Sequence, residues 1–177
     1  MALPQDIITN IERRYKSCNG DLQQKEILKF LKDKLNNGIS PEDVFQYAEN
    51  THLYIYPDRI FAISADTISG IGLFLSKSKD KVKQNLASKF FKLAADRDNV
   101  LGCRNYAVCK LYGKNGEGES ISEALEYAEK AVKITPNYHD FKKTYAMALN
   151  ANGSNYLAFM AMIEFLKFEF TLLQRVF

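Results

Sequence analysis

The first third of the chain repeats its apolar residues at helical spacing. Two sets of four residues follow the pattern i, i+1, i+4, i+8, which places each set on one face of a helix. These sets are Ile7, Ile8, Ile11 and Tyr15, followed by Ile27, Leu28, Leu31 and Leu35. The pattern predicts two amphipathic helices, each of which needs a partner surface for its apolar stripe.

Turn residues mark where these helices end. Residues 19–20 (NG) separate the two stripes, and Asp21 stands in the position of an N-cap for the second helix. Gly38 is predicted to end that helix. Ser40-Pro41 then starts a third helix, because serine caps a first turn well and proline fits its opening position.

Most of the remaining chain alternates helical patterns with short polar loops. These loops read SKSKDK, DRDN, GKNGEGES, TPN and NANGS. Residues 51–57 (THLYIYP) have strand-like composition, but no second run of this kind could pair with them. We interpret them as a connector or the end of the third helix. The sequence therefore predicts an all-α protein of about seven or eight helices.

Two segments in the middle of the chain are similar at an offset of 37 residues. Residues 86–95 (LASKFFKLAA) align with residues 123–132 (EALEYAEKAV), and the helices before them align at the same offset. The aligned pairs are Ala87 and Ala124, Phe90 and Tyr127, Ala94 and Ala131, Ala65 and Gly102, Gly70 and Ala107, and Ser76 and Gly113. Small residues let one helix approach its neighbour, and aromatic residues fill the space between layers. A unit of this kind cannot bury its apolar side alone, so copies stack.

This repeat resembles the tetratricopeptide superfamily, and particularly its Sel-one-like branch, over about residues 60–165. EALEYAEKAV resembles the second-helix signature of that branch, and residues 116–118 (GEG) resemble its inter-helix turn. The chain departs from the family with Leu93 where lysine is usual and Lys142 where a large apolar residue is expected. Tetratricopeptide spacing is kept by Pro136, Ala146, Leu149, Gly153 and Ala158.

The resemblance implies one helical-repeat domain over residues 1–177, in which antiparallel helix pairs stack as a short α-solenoid. Residues 1–57 would form divergent amino-terminal helices. Residues 58–165 would form the repeat-like pairs, and residues 154–177 an apolar carboxy-terminal helix. Such motifs specify a mode of packing and no chemistry.

The glycine-rich stretch LYGKNGEG (residues 111–118) invites comparison with a phosphate-binding loop. Such a loop follows a strand and leads through Gly-Lys-Ser/Thr into a helix, where backbone amides hold the phosphate. Here a helical pattern precedes the stretch, and asparagine follows the Gly-Lys pair. We therefore interpret it as a turn that begins with a helix C-cap at Gly113. Ser120, or alternatively Ser122, would cap the next helix, and Ser120 with Glu123 fits a capping box.

The composition argues against several classes of site. The chain has 24 basic and 21 acidic residues, a net charge of +3, which lacks the strong basic excess typical of nucleic-acid-binding proteins and disfavours a nucleic-acid partner. Its cysteines and histidines lack the spacing of metal ligands, and no local catalytic arrangement includes them, so we predict no metal, no cofactor and no catalytic residue. These residues are Cys18, Cys103, Cys109, His52 and His139.

The carboxy-terminal stretch YLAFMAMIEFLKFEFTLLQRVF (residues 156–177) is apolar on nearly every side. Four charged residues disfavour a membrane span, since each would be costly at mid-bilayer. Its outer face is expected to meet the amino-terminal helices, a second copy, a partner or further chain. The amino terminus lacks the pattern of a signal peptide, which favours an intracellular and most simply cytoplasmic protein and leaves a mitochondrial location open.

These patterns predict a non-catalytic adaptor or assembly factor that binds another protein in the concave face of the array. Basic residues outside the packing stripes would favour an acidic partner segment, and possible self-association would use the carboxy-terminal helix. The candidate contacts are Arg104, Lys110, Lys142 and Lys143. Two alternatives stay open. One is an RNA-associated organellar helical-repeat protein, which would use these basic residues of the concave face together with an otherwise solvated loop at Lys77, Lys79, Lys81 and Lys83. The other is a small enzyme with a site assembled from distant residues.

Overall fold

The computed structural model describes residues 3–17, 21–51 and 63–176, and every regular element in these ranges is an α-helix. The helices are α1 (Gln5–Ser17), α2 (Asp21–Asn36), α3 (Pro41–Asn50), α4 (Ala65–Ser76), α5 (Lys81–Asp96), α6 (Val100–Tyr112), α7 (Ile121–Ile134), α8 (His139–Ala151) and α9 (Asn155–Val176). The all-α prediction is confirmed, although the described ranges hold nine helices rather than seven or eight. Beyond Thr51, which caps the end of α3, the THLYIYP segment lies outside the described residues.

Capping side chains explain where several helices begin. Ser40 caps α3 and Pro41 lies in its first turn, both as predicted. Asn99 caps α6, and its side-chain oxygen accepts a 2.7 Å hydrogen bond from the backbone N–H of Gly102. The structure differs at Asp21, which is the first residue of α2 and not the N-cap before it.

The LYGKNGEG stretch forms the joint between α6 and α7. Gly113 ends α6 in the left-handed conformation, with φ of 58°, so the predicted C-cap is confirmed. Ser120 occupies the N-cap position of α7, but its side chain makes no capping hydrogen bond. The predicted capping box is therefore wrong. The backbone N–H of Ser120 donates a 2.9 Å hydrogen bond to the carbonyl of Lys110, and the Glu123 carboxylate pairs with the Lys110 ammonium.

The lysine run at residues 77–83 covers the loop between α4 and α5 and the first turn of α5, and only part of it is solvated as predicted. Lys77, Lys79 and Lys81 are exposed, which confirms the prediction for those three. Lys83 is half-buried, and its ammonium donates a 3.2 Å hydrogen bond to the carbonyl of Leu35 near the end of α2. A cation is favoured there, because the last carbonyls of a helix carry partial negative charge.

The core is widest in the amino-terminal part of the chain and narrows towards α8. One cluster of buried apolar residues draws from α1 through α6, and it contains the predicted stripe residues Ile11 and Leu31 at full burial. Where α6, α7 and α8 meet, the buried cluster consists of Ala107, Ala128 and Ala148. We call these three residues the alanine seam. Leu125, Tyr127 and Tyr145 pack against the seam, and a neighbouring buried cluster joins Phe141 of α8 to Cys103 and Ala131.

Contacts between helices follow chain order from α4 onwards. The most extensive contacts are those of α4 with α5, α6 with α7, and α8 with α9. The joining contacts of α5 with α6 and α7 with α8 come next, and α6 also lies against both α4 and α8. The end of α6, the end of α8 and the first half of α9 consequently border one open space.

A candidate protein-interaction groove

An open groove lies where α6, α8 and α9 meet. Its volume is about 560 Å³, and no charged residue lines it. The lining residues are Leu111, Tyr112, Ala146, Met147, Asn150, Ala151, Asn155, Ala158, Phe159 and Met162. This size and this mainly apolar lining are typical of sites that bind apolar groups and use a few polar atoms for orientation.

Small side chains on α8 and α9 create the space. Ala146, Ala151 and Ala158 end at Cβ, so they leave room beside the larger side chains of the lining. On the opposite side, the Tyr112 hydroxyl lies 4.0 Å from the sulfur of Met147, which connects the wall on α6 to the wall on α8. The groove therefore depends on where three helices place short and long side chains relative to one another.

A second apolar surface adjoins the groove on α9. It consists of Tyr156, Leu157, Phe159 and Met160, which are all exposed and, at positions i, i+1, i+3 and i+4, share one side of the helix. We call this surface the α9 apolar face. Tyr156 is 74% exposed and Phe159 is 62% exposed. Side chains of this size expose on the order of 400 Å² together, and contiguous apolar patches of that extent often mark interaction sites.

None of the four residues predicted as partner contacts lines the groove. Arg104 is half-buried and donates a 3.1 Å hydrogen bond to the asparagine that follows it. Lys142 forms a 2.7 Å ion pair with Glu164, which links α8 to α9 and lowers the pKa of that carboxyl. Lys143 is exposed, and its nitrogen lies 5.9 Å from the centre of the Phe165 ring.

Lys110, the fourth of these residues, holds the α6–α7 joint together. Its nitrogen lies 2.8 Å from the carboxylates of both Glu117 and Glu123, and its side chain is only 13% exposed. The hydrogen bonds to Glu117 and Glu123 raise the pKa of Lys110, and Lys110 in turn holds the pKa of Glu123 below its usual range. This charge is therefore neutralised within the chain.

We expect Lys110→Met to lower the free energy of unfolding by about 1 kcal/mol at neutral pH, because two partly buried carboxylates lose their counter-ion while the stem of the side chain is kept. Because the pKa of Glu123 is lowered, its pairing with Lys110 contributes to the free energy of unfolding at neutral pH. This contribution is lost as the pH falls through that pKa. The difference from wild type should therefore shrink in acid. Urea unfolding at pH 7 and pH 3 measures both effects.

The matched control for this substitution is Lys133→Met. Lys133 pairs with Glu129 within α7, and its side chain is 70% exposed, so solvent screens the pair. We expect no measurable change in the free energy of unfolding. Equal effects of the two substitutions would contradict a structural role for the Lys110 cluster.

The glycines of the α6–α7 joint serve backbone geometry and packing. Gly116 has φ of 86°, and a Cβ at this position would lie 2.7 Å from the carbonyl oxygen of Asn85. Any larger residue would therefore push the joint away from α5. A polar cavity of about 570 Å³ adjoins this contact, lined by the loop and by the start of α5.

The cysteines and the histidine that the structure describes all lie on helices, on α6 and at the start of α8. Cys103 and Cys109 are buried, which raises the pKa of the Cys103 thiol to about 11 and raises that of Cys109 as well. A nucleophilic cysteine needs the opposite shift. His139 begins α8 as predicted, whereas Cys18 and His52 lie outside the described residues.

Neither a metal centre nor a membrane span is found in the described ranges. There, no group of three or more His, Cys, Asp and Glu residues is placed to hold a metal ion. None of the helices searched combines the length and the apolar character that crossing a bilayer requires.

The charged residues that the sequence suggests as partner contacts lie outside the groove, and the groove itself was not predicted. One signal was available, because residues 155–163 contain no charged residue and therefore begin α9 with an uncharged run. The lining side chains on α6 and α8 cannot be recognised in the same way, because only the tertiary structure brings them next to α9. No family model matches the chain, and no curated protein and no solved structure matches it either.

Proposed function

We propose that the protein is a non-catalytic interaction module that binds an apolar segment of another protein in the groove between α6, α8 and α9. The observation that carries this proposal is the uncharged lining of the groove, which includes the exposed side chain of Phe159. Aromatic side chains at the centre of such a surface contribute strongly to binding once a partner excludes water from them.

We also propose that three antiparallel helix pairs, α4–α5, α6–α7 and α8–α9, stack as a short α-solenoid of the tetratricopeptide-like, Sel-one-like kind. Two observations support this architecture. The most extensive helix contacts fall within these pairs, and the next fall between them. At the start of α6, a Cβ on Gly102 would lie 2.8 Å from both the Ala94 Cβ and the Ala95 nitrogen, which is the close approach that a repeat with small residues requires.

The pairing of the predicted groove cations favours a protein partner over RNA at this surface, whereas Lys77, Lys79 and Lys81 in and beside the α4–α5 loop stay exposed. Lys110 and Lys142 each pair with carboxylates of the chain, and Lys130 pairs with Asp98 at 2.9 Å. Phosphate recognition depends on cations that are free to displace counter-ions. The apolar groove, in contrast, offers a surface against which a protein segment can bury apolar side chains.

Phe159→Glu is expected to weaken partner binding at least about tenfold, because it places a charge where a central aromatic side chain would be buried by the partner. The fold should be retained, since Phe159 is 62% exposed in the free chain. Tagged wild type and variant are used to capture partners from cells that express the protein. Captured proteins are identified by mass spectrometry, purified and titrated against both forms by calorimetry.

The control for this experiment is Val82→Glu. Val82 lies in the first turn of α5, away from the groove, and is also 62% exposed, so the variant gains the same charge at an equally exposed apolar site. We expect it to bind as wild type does. Partners that bind the Phe159 and Val82 variants equally well would show that the groove is not their binding site.

A further inference from the structure

We infer that the groove is a site of reversible methionine oxidation, at which a peroxide converts Met147, Met160 and Met162 to sulfoxides and so weakens the binding of apolar groups. The oxidation follows from the position and the chemistry of these side chains. Its effect on binding rests on the proposed function, because it assumes that the groove binds apolar groups. Neither part depends on which partner occupies the groove.

The methionines of the chain are concentrated at one surface. The sequence contains four, of which Met1 lies outside the described residues. Met147 and Met162 line the groove, and Met160 belongs to the α9 apolar face beside it. These two surfaces therefore hold every methionine beyond the first residue. The buried clusters in the described part of the chain contain none.

A small oxidant such as hydrogen peroxide can reach these side chains. Met160 is 42% exposed, and Met147 and Met162 are half-buried beside an open groove. A thioether reacts without first losing a proton, so its oxidation depends on access of the oxidant to the sulfur. We therefore expect Met160 to react first, and the two methionines of the lining to follow.

The thiols that the structure describes are protected from the same oxidant. Cys103 and Cys109 are buried, and burial raises the pKa of both thiols. Peroxide attacks the thiolate, so both the burial and the raised pKa slow the reaction of these cysteines. Oxidation is thereby directed to the groove and away from the core.

The reaction transfers one oxygen atom from hydrogen peroxide to the thioether. The lone pair of the sulfur forms the new bond to oxygen, the O–O bond breaks, and the other oxygen leaves as water. The sulfur is oxidised and the peroxide is reduced. The product has a polar S=O group in place of an apolar thioether. An apolar group that covered this oxygen would leave it without a hydrogen-bond partner, so binding would be weakened.

The Tyr112 hydroxyl is placed to interact with the oxidised form of Met147. This hydroxyl on α6 lies 4.0 Å from the Met147 sulfur on α8. A thioether sulfur is a weak acceptor, whereas the oxygen of a sulfoxide accepts hydrogen bonds well. The oxidised side chain thus gains a donor within the free chain, which it would not find in an apolar occupant.

Treatment of the full chain with hydrogen peroxide tests the inference. Peptide mapping by mass spectrometry follows each methionine and each cysteine separately. We expect oxidation of Met160 first and of Met147 and Met162 next, while Cys103 and Cys109 stay reduced. Circular dichroism should be unchanged, because none of these methionines belongs to the buried core of the described residues.

Nile red, an uncharged dye whose fluorescence rises in apolar surroundings, reports on the groove. Its affinity for the oxidised chain should fall at least about tenfold, towards that of Phe159→Glu, because the dye would cover unpaired S=O groups. Methionine sulfoxide reductases should restore it. The control combines Met147→Leu, Met160→Leu and Met162→Leu, which keeps an apolar lining of similar volume without sulfur. It should bind the dye equally before and after peroxide. All chains carry Cys18→Ser, so that this thiol takes no part.

Each contrary result overturns a defined part of the inference. Methionines 147, 160 and 162 that oxidise no faster than the buried cysteines would overturn the modification and leave the proposed function standing. Unchanged dye affinity after their oxidation, an equal loss in the leucine variant, or unfolding of the oxidised chain would overturn the effect on binding. Equal dye binding by untreated wild type and Phe159→Glu would overturn the proposed function, and the order of oxidation would still decide the modification.

Discussion

Phe90→Ala is expected to lower the free energy of unfolding by about 3–5 kcal/mol, the usual cost of truncating a fully buried phenylalanine. Phe90 is completely buried on α5 and packs edge to face against Phe45 of α3, with ring centres 5.2 Å apart. Truncation removes buried apolar surface and leaves a cavity between these helices. Since domains are stable by only about 5–15 kcal/mol, the loss is a large fraction of the total. Urea unfolding followed by circular dichroism measures it.

Phe159→Ala is the matched control, because it makes the same chemical change on the same chain. Phe159 is exposed on α9 and fills no core space in the free protein. Its truncation should change stability by no more than about 0.5 kcal/mol. A loss as large as that of Phe90→Ala would mean that α9 contributes to the core and that its apolar face is not available to a partner.

Gly102→Ala is the second substitution with a large expected effect, and it is expected to destabilise despite the higher helix propensity of alanine. The propensity gain is about 1 kcal/mol, whereas forcing a methyl group into a closely packed site costs typically 1–3 kcal/mol and more when backbone must move. At Gly102 the nearest atoms belong to the backbone and Cβ of residues 94–95, so α5 and α6 must separate. We expect a net loss of roughly 1–2 kcal/mol by urea unfolding.

Gly70→Ala separates this steric effect from helix propensity. Gly70 also lies within a helix, α4, but the close atoms there belong to the end of the flexible side chain of Leu28. That side chain can rotate away, so the variant should be as stable as wild type or slightly more stable. Equal destabilisation at both glycines would contradict the close approach of α5 and α6 as the cause.

Local features of the fold were predictable from the sequence. The stripes that contain Ile11 and Leu31 were recognisable, because helical periodicity is a property of neighbouring residues and both are buried as expected. The end of α6 at Gly113 was also predictable, since a left-handed residue favours glycine whatever surrounds it. In each case the physical cause lies within a few positions along the chain.

Interactions between distant residues were not predictable in the same way. Ser120 and Glu123 have the spacing of a capping box, but Lys110 reaches Glu123 across the joint and forms an ion pair there. Lys83 was expected in solvent, and it instead finds the carbonyl of Leu35, 48 positions earlier. Both outcomes depend on how the helices are arranged in space, which no local pattern encodes.

The groove likewise combines a local feature that the sequence predicts with contacts between distant residues that it does not predict. The uncharged run that begins α9 was visible in the sequence, and it predicted that this helix meets another surface. The side of α9 that remains open could not be predicted, because it depends on Tyr112 and Met147 lying across from Phe159. Residues chosen for their charge, such as Lys110, were instead found to connect parts of the chain.

Under the proposed function, the alanine seam between α6, α7 and α8 has a consequence for how the choice of partner can evolve. Ala107, Ala128 and Ala148 pack together where these helices meet and do not themselves line the groove. A slightly larger side chain at one of these positions would tilt α8 and α9 away from α6 and so widen the groove. Natural variation at three buried positions would then change which partners are accepted, while every residue that meets them stays the same.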